Sequence, residues 1–260
     1  MKRISFSAIS AYMSCPKKFY FQRIMGIKPD YLPSAFIFGG AVHEGLAEFN
    51  RGRREGIVAD VATMMQAYYH EWRKRAAEGL PIQYMRSESE SYLEALAERM
   101  FRAFLDFSKK SGEPFMIEEW VRAKLSPELP KFVGIIDLAE YVNREVVITD
   151  YKTAGKPRQH DFTQMLLYRY ALLKSGCNGA AKAKLRYVTL TKEAQPRVIE
   201  QWLDDPEFSQ ERTGRIIKQY EQAYADIKAE KFDRRTSWQC QYCVFAEACR
   251  SHKPSQSLHN

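Results

Sequence analysis

Residues Lys131–Lys152, KFVGIIDLAEYVNREVVITDYK, decide how the chain is read. Two runs rich in β-branched residues flank a short polar break at Asn143-Arg144, the pattern of a β-hairpin. A two-residue turn there sets Val142 opposite Glu145 and, counting back, Asp137 opposite Asp150. Side chains alternate with period two along a strand, so Asp137, Asp150 and Lys152 fall on one face. Like charges directly opposite each other weaken a strand pair. A cation held between the two carboxylates removes that cost, so chemistry is expected here.

After the hairpin, Thr153–Pro157 is a loop and DFTQMLLYRYALLK (161–174) is a helix. Asp161 and Gln164 stand in the N-cap and N3 positions of a capping box, and Gly176 is the stop signal. Gln164 and Tyr168, four apart, share a helix face; capping and core packing are their plain structural roles. Lys184–Leu190 alternates like a half-buried strand, and Asp204–Lys231 reads as a long helix.

Before the hairpin, Phe115–Leu125 is a strand ending at a Ser126-Pro127 turn. Arg51–Lys110 is helical, with a break near Gly79–Pro81, and its many charges make a solvated face. Phe36–Asn50 is helical despite Gly39, Gly40 and Gly45, each of which costs roughly 1 kcal/mol against Ala. Such a cost points to close approach by a neighbouring backbone or a ligand. His43 lies in this segment, and a lone histidine is more often structural than functional. Ser5–Ile24 is a helix interrupted at Cys15-Pro16. Its KKFYFQR run (17–23) is read first as an amphipathic helix with core aromatics, and second as a strand-binding surface of charge and rings. The order of helices, strand, hairpin, helix, strand and helices predicts one α/β unit, a mixed sheet flanked by helices.

With 260 residues and 45% hydrophobic content the chain can bury a sizeable core, and its net charge of +8 favours polyanionic partners, nucleic acid first. No apolar run approaches the roughly 18 residues of a membrane span. Ser5, Ser7 and Ser10 break up the segment before Cys15, which excludes a lipoprotein signal and leaves a cytoplasmic location as the expectation.

Two groups of residues carry chemistry. Asp137 with Asp150-x-Lys152 offers hard oxygen ligands suited to Mg²⁺ or Mn²⁺, and a cation about 6.8 Å further along the same face. That spacing alone is frequent by chance. Cys240-x2-Cys243-x5-Cys249 gives three soft thiolates, in a pattern that signals metal more often than disulfide. Zinc and iron–sulfur clusters both favour four protein ligands, and the fourth must come from Cys15 or Cys177 if it is a cysteine.

Taken together, SFSAISAYMSCPKKFYFQRI, GGAVHEGL, VGIIDLAEYV, ITDYKTA, QMLLYRYAL and WQCQYCVFAEAC occur in the order found in RecB-like PD-(D/E)XK nucleases. The chain resembles more narrowly their iron–sulfur branch, which includes CRISPR-associated spacer-acquisition nucleases and the AddB nuclease domain. The resemblance runs from Ser5 to Cys249 and implies a restriction-endonuclease-like core. It makes His43, Asp137, Asp150 and the Tyr151 carbonyl metal ligands and Lys152 the catalytic lysine. Gln164 and Tyr168 match the Q-x3-Y motif, and Cys15, Cys240, Cys243 and Cys249 match the 4Fe–4S ligands, leaving Cys177 structural. Asp150 stands where many members carry Glu; both occur in the superfamily.

The function so implied is a Mg²⁺- or Mn²⁺-dependent DNA exonuclease, acting on single strands or ends in recombination, repair or phage or CRISPR DNA processing. The alternatives are a catalytically silent DNA-binding or adaptor module, and zinc in place of the cluster. One nuclease domain is expected over 1–252: a helical region (1–110), a catalytic α/β core (115–200) and a C-terminal helix with a cysteine-rich, cluster-binding tail (201–252). Residues 253–260 are expected to be disordered. No G-x4-G-K-[ST] loop is present, so ATP-driven unwinding requires a separate helicase or recombination partner.

Overall fold

The polar break does close as a two-residue turn, with Asn143 and Arg144 both left-handed at φ 50° and 68°. That is the turn geometry whose twist matches a hairpin. Arg at such a φ costs about 1 kcal/mol or more, and the turn nevertheless keeps the predicted register, Val142↔Glu145 through Leu138↔Thr149.

The computed structural model describes residues 2–108, 112–203 and 206–252; the expected tail disorder at 253–260 lies outside the described residues. The elements run β1 (Arg3–Ile4), α1 (Phe6–Ser14), α2 (Pro16–Phe19), a π-helical turn (Tyr20–Ile24), β2 (Leu32–Pro33), α3 (Ser34–Glu55), α4 (Val61–Ala76), β3 (Ile82–Gln83) and α5 (Glu90–Ser108). Then come β4 (Glu113–Ala123), β5 (Lys131–Val142), β6 (Glu145–Ala154), α6 (Thr163–Lys174), β7 (Lys184–Thr191), β8 (Val198–Leu203), α7 (Pro206–Lys228) and α8 (Ala246–Ser251). Short 3₁₀ turns lie at Asn178–Lys182 and Trp238–Tyr242.

The main sheet is mixed, as predicted. β4, β5 and β6 form an antiparallel meander, β6 and β7 are parallel, and β8 is antiparallel to β7. A parallel pair needs a crossover, and α6 supplies it. Helix α6 carries buried residues on every side and fits the interior rather than a surface stripe. One core joins α1, α6 and α7 to the sheet through Ile9, Leu166, Tyr220 and Phe132; a second joins α3, α4 and α5 through Leu46, Trp72, Phe101 and Tyr151.

Gly45 of α3 serves helix packing. A Cβ on Gly45 would lie 2.4 Å from Phe101 Cζ and 3.0 Å from the Met64 carbonyl oxygen. The aromatics of KKFYFQR follow the core reading, with Phe19 and Phe21 fully buried.

Two expectations change. Asp161 is not the N-cap of α6: it accepts from the Thr163 N–H at 2.8 Å as a turn before the helix. Gln164 makes no capping box because its amide is turned toward Lys152 and Tyr168. The strand Val198–Leu203 was not predicted; its burial alternates, and charged residues hide it among polar neighbours.

Glu140 is fully buried and holds the closed end of the hairpin. Its Oε1 meets Arg186 Nη2 at 2.5 Å, and its Oε2 meets Arg53 Nη2 at 3.0 Å and the Gly112 N–H at 2.9 Å. Arg186 also reaches Glu200 Oε1 at 3.1 Å and Thr149 Oγ1 at 3.0 Å. The network ties α3, β5, β6, β7 and β8 together.

Candidate active site

β5 and β6 part after the Leu138↔Thr149 rung. The next residue on each strand is Asp137 and Asp150, so both carboxylates stand at the mouth of the fork. Farther down, the same edge of β5 takes up β1 at Phe132 and Lys131, while β4 covers the other edge. Between these partners, Val133–Asp137 form a notch in the sheet, about 17 Å long at strand rise.

The expected residues converge here. Lys152 Nζ lies 2.5 Å from Asp150 Oδ2 and donates to Gln164 Oε1 at 3.2 Å. Gln164 Nε2 in turn donates to the Tyr168 hydroxyl at 3.0 Å, which also accepts from the Ile135 backbone N–H in the notch. Gly134 permits this: a Cβ there would sit 2.5 Å from Tyr168 Cε1. From α3, His43 Nδ1 approaches Asp137 Oδ2 at 3.4 Å. That same oxygen accepts from the Tyr151 N–H at 2.8 Å. The Tyr151 ring points the other way, into the helical core, where its hydroxyl accepts from Asn50 at 3.0 Å.

Glu118 was missed. It lies between the rungs Ile117↔Leu138 and Glu119↔Ile136, which sets it against Asp137, and its φ is 51°. Ligand atoms of His43, Glu118 and Asp137 all lie within 4.8 Å of one another. Only the β4–β5 register brings Glu118 here. The sequence signal is its place within the predicted strand, and nothing in the strand's composition separates it from Glu119.

Burial, then the neighbouring Asp137, raises the Asp150 carboxyl to about 6 despite Lys152. Burial likewise raises Asp137, against the pull of Lys152 and the Tyr151 N–H. Glu118 is raised by burial and then by Asp137, while burial holds His43 down at about 4. Crowded carboxylates that resist ionisation, beside a neutral imidazole, offer oxygen and nitrogen donors that could hold a divalent cation.

The sign of the pH effect follows. The raised carboxyls make the metal-free folded chain bind more protons than the unfolded one. Their stabilising effect is full below about pH 4 and is lost as pH rises through about 6. His43 works in the opposite sense, its contribution being lost as pH falls from 6.5 toward 4; the carboxyls outnumber it. Because ligands must deprotonate, Mn²⁺ is expected to raise the melting temperature of chelator-treated protein more at pH 7.5 than at pH 5.5. Equal shifts at the two pH values, or none, in a thermal-melt series would contradict this.

At the C-terminal end of α1, Cys15, Cys240, Cys243 and Cys249 all line one cavity of about 180 Å³, together with Lys18, Arg234, Arg235 and Arg250. The tail is fixed beside α1 by Tyr12 to the Lys231 carbonyl at 2.8 Å, Ser14 to Gln239 at 3.3 Å and Arg235 to the Met13 carbonyl. Cys177 is elsewhere, packed against the first core.

The forked strands thus present two aspartates and a lysine, with acidic and histidine neighbours able to hold a metal. The sequence profile of the PD-(D/E)XK nuclease superfamily matches residues 3–250, and the chain belongs to that superfamily, whose members depend on divalent metal. No curated protein matches the chain. Among solved structures, one named "Putative exonuclease" from Eubacterium rectale is 13% identical, with a TM-score of 0.58 over 93% of this chain and 87% of its own; at that identity it shows the fold alone. The crystal structure of SSO0001 is 15% identical, with a TM-score of 0.36 over 90% of this chain and 93% of its own, and carries no argument. Among the described residues no helix is long and apolar enough to cross a membrane.

Proposed function

We propose that the chain is a Mg²⁺- or Mn²⁺-dependent DNA exonuclease acting on single strands or DNA ends. The observation that carries this reading is the fork: Asp137 and Asp150 just beyond the last hairpin rung, with Lys152 bridging Asp150 and Gln164. Asp137, Asp150, His43 and the Tyr151 carbonyl, joined by Glu118, would hold the ion. A bound divalent ion supplies Lewis-acid stabilisation of phosphoryl oxygens and a more acidic water. Lys152 adds a cation against the charge that develops on the phosphate, and the Gln164 amide fixes its direction. Tyr168, anchored at Ile135 and Gln164, positions that amide. Residues 1–252 would work as one nuclease domain. A helicase partner would serve wherever strands must be opened, and processing of DNA in recombination, repair or phage or CRISPR pathways fits this activity. An adaptor that had lost hydrolysis would have no need of the Asp150–Lys152–Gln164 chain. The test is digestion of 5′- and 3′-labelled single- and double-stranded DNA with each metal. Metal-dependent loss of label from an end is expected; DNA left intact with both metals overturns the reading.

The four cysteines are proposed to hold a 4Fe–4S cluster. They line one cavity of about 180 Å³, and among the described residues no three of their sulfurs lie within 4.8 Å of one another. A tetrahedral zinc with Zn–S near 2.3 Å would draw them to about 3.8 Å. Lys18 and three arginines suit an anionic cluster, and reduced cysteines suit a cytoplasmic location. Anaerobically purified protein is expected to contain iron and a broad absorbance near ~400 nm. Cys243→Ser should remove the absorbance and open the 231–252 segment to protease. Zinc without iron in elemental analysis would sink the cluster.

A further inference from the structure

The notch continues away from the aspartates as an open groove of about 590 Å³. Gln164 and Tyr168 line it at the end nearest the fork, Val133, Gly134 and Ile135 line it from β5, and Lys2, Arg3 and Arg23 line it as well. Trp120 stands on the rim, paired across to Ile135, with 53% of its surface exposed. The Arg122 guanidinium lies 5.4 Å from its ring. An exposed indole costs solubility and contributes nothing to either core, so its place beside a cationic groove calls for a ligand with both charge and flat apolar faces.

We infer that this groove seats the single strand leading into the active site, with an unpaired base stacked on Trp120 and the flanking phosphates facing Lys2, Arg3 and Arg23. This deepens the nuclease reading and rests on it for the direction of the strand. Two features of the groove favour a single strand over a duplex. Stacking on Trp120 needs a base free of its partner. The notch interrupts only one edge of one strand. Sequence preference is not built in, since every base offers a stacking face.

Binding can be separated from cutting. Fluorescein-labelled (dT)12 is titrated in EDTA, read by anisotropy, with wild type, Trp120→Ala, Trp120→Phe, Arg23→Gln and a control, Trp202→Phe. Trp202 is exposed on β8, away from the groove. Trp120→Ala is expected to raise Kd about tenfold while Trp120→Phe retains most of the affinity. Arg23→Gln should lower the slope of log affinity against log salt by about 0.7, one phosphate contact. The control should match wild type, and a blunt duplex should bind more weakly and ignore the Trp120 change. Melting temperatures near wild type establish that these exposed substitutions leave the fold intact. No single-strand binding by wild type, or Trp120→Ala and Arg23→Gln both indistinguishable from it, overturns the groove even where metal-dependent cleavage is present. Loss of binding in these variants without any cleavage by wild type leaves the groove standing and removes the nuclease reading.

Discussion

Asp150→Ala is expected to lower metal-dependent cleavage of labelled single-stranded DNA by about 10³-fold, the scale of losing a main electrostatic group from a preorganised site. It is expected at the same time to stabilise the metal-free protein. Asp150 is 2% exposed, and burial with the Asp137 repulsion raises its carboxyl from 3.8 to about 6. Keeping it ionised in the fold at neutral pH costs about 3 kcal/mol at 1.36 kcal/mol per unit. Removing the group returns part of that, and Lys152, which is partly exposed, keeps Gln164 as a partner. Chelator-treated Asp150→Ala should therefore melt above wild type at pH 7.5 and lose that advantage near pH 4.5. An inactive variant that is also less stable at pH 7.5 would mean that Asp150 supports the fold rather than a cation. Retained cleavage would remove Asp150 from the reaction.

Glu140→Ala should have the largest effect on stability, about 3–5 kcal/mol, the usual result of removing one partner from a buried ion network. Arg186 would keep Glu200 and Thr149 but lose its 2.5 Å partner at 8% side-chain exposure, and Arg53 would lose its Glu140 carboxylate. The position is three residues from Asp137, so the damage should spread to the fork as broadened thermal melting and weaker metal binding. Denaturant unfolding measures the first; a loss below 1 kcal/mol would show that water or rearrangement satisfies both guanidiniums. A double substitution, Glu140→Leu with Arg186→Met, should recover much of the loss, because the penalty lies in the unpaired charges.

The hairpin was legible because its two strands are local: a polar turn and period-two alternation set Asp137 against Asp150, and the structure keeps that register to Leu138↔Thr149. The mixed sheet followed from element order. Other features depend on distant pairing. Glu118 reaches the site through β4, His43 through the docking of α3, and the notch exists only because β1 and β6 share one edge of β5. Composition cannot reveal any of these. The capping-box reading of Gln164 failed for an energetic reason: a partly buried lysine and a tyrosine hydroxyl within reach make better use of the amide than an exposed helix start. The hexapeptide Val198–Leu203 went unseen because it lies at a sheet margin with none of its residues buried, Glu200 and Trp202 being exposed.

The groove also imposes an order of synthesis. β1 cannot pair until Lys131 and Phe132 have been made, and α1 cannot meet Lys231 and Gln239 until more than two hundred further residues have followed it. Loops of that length are slow to close. On the ribosome β1 can dock once Phe132 has been made, before β6 closes the hairpin, whereas α1 is fastened to the C-terminal segment only as synthesis ends.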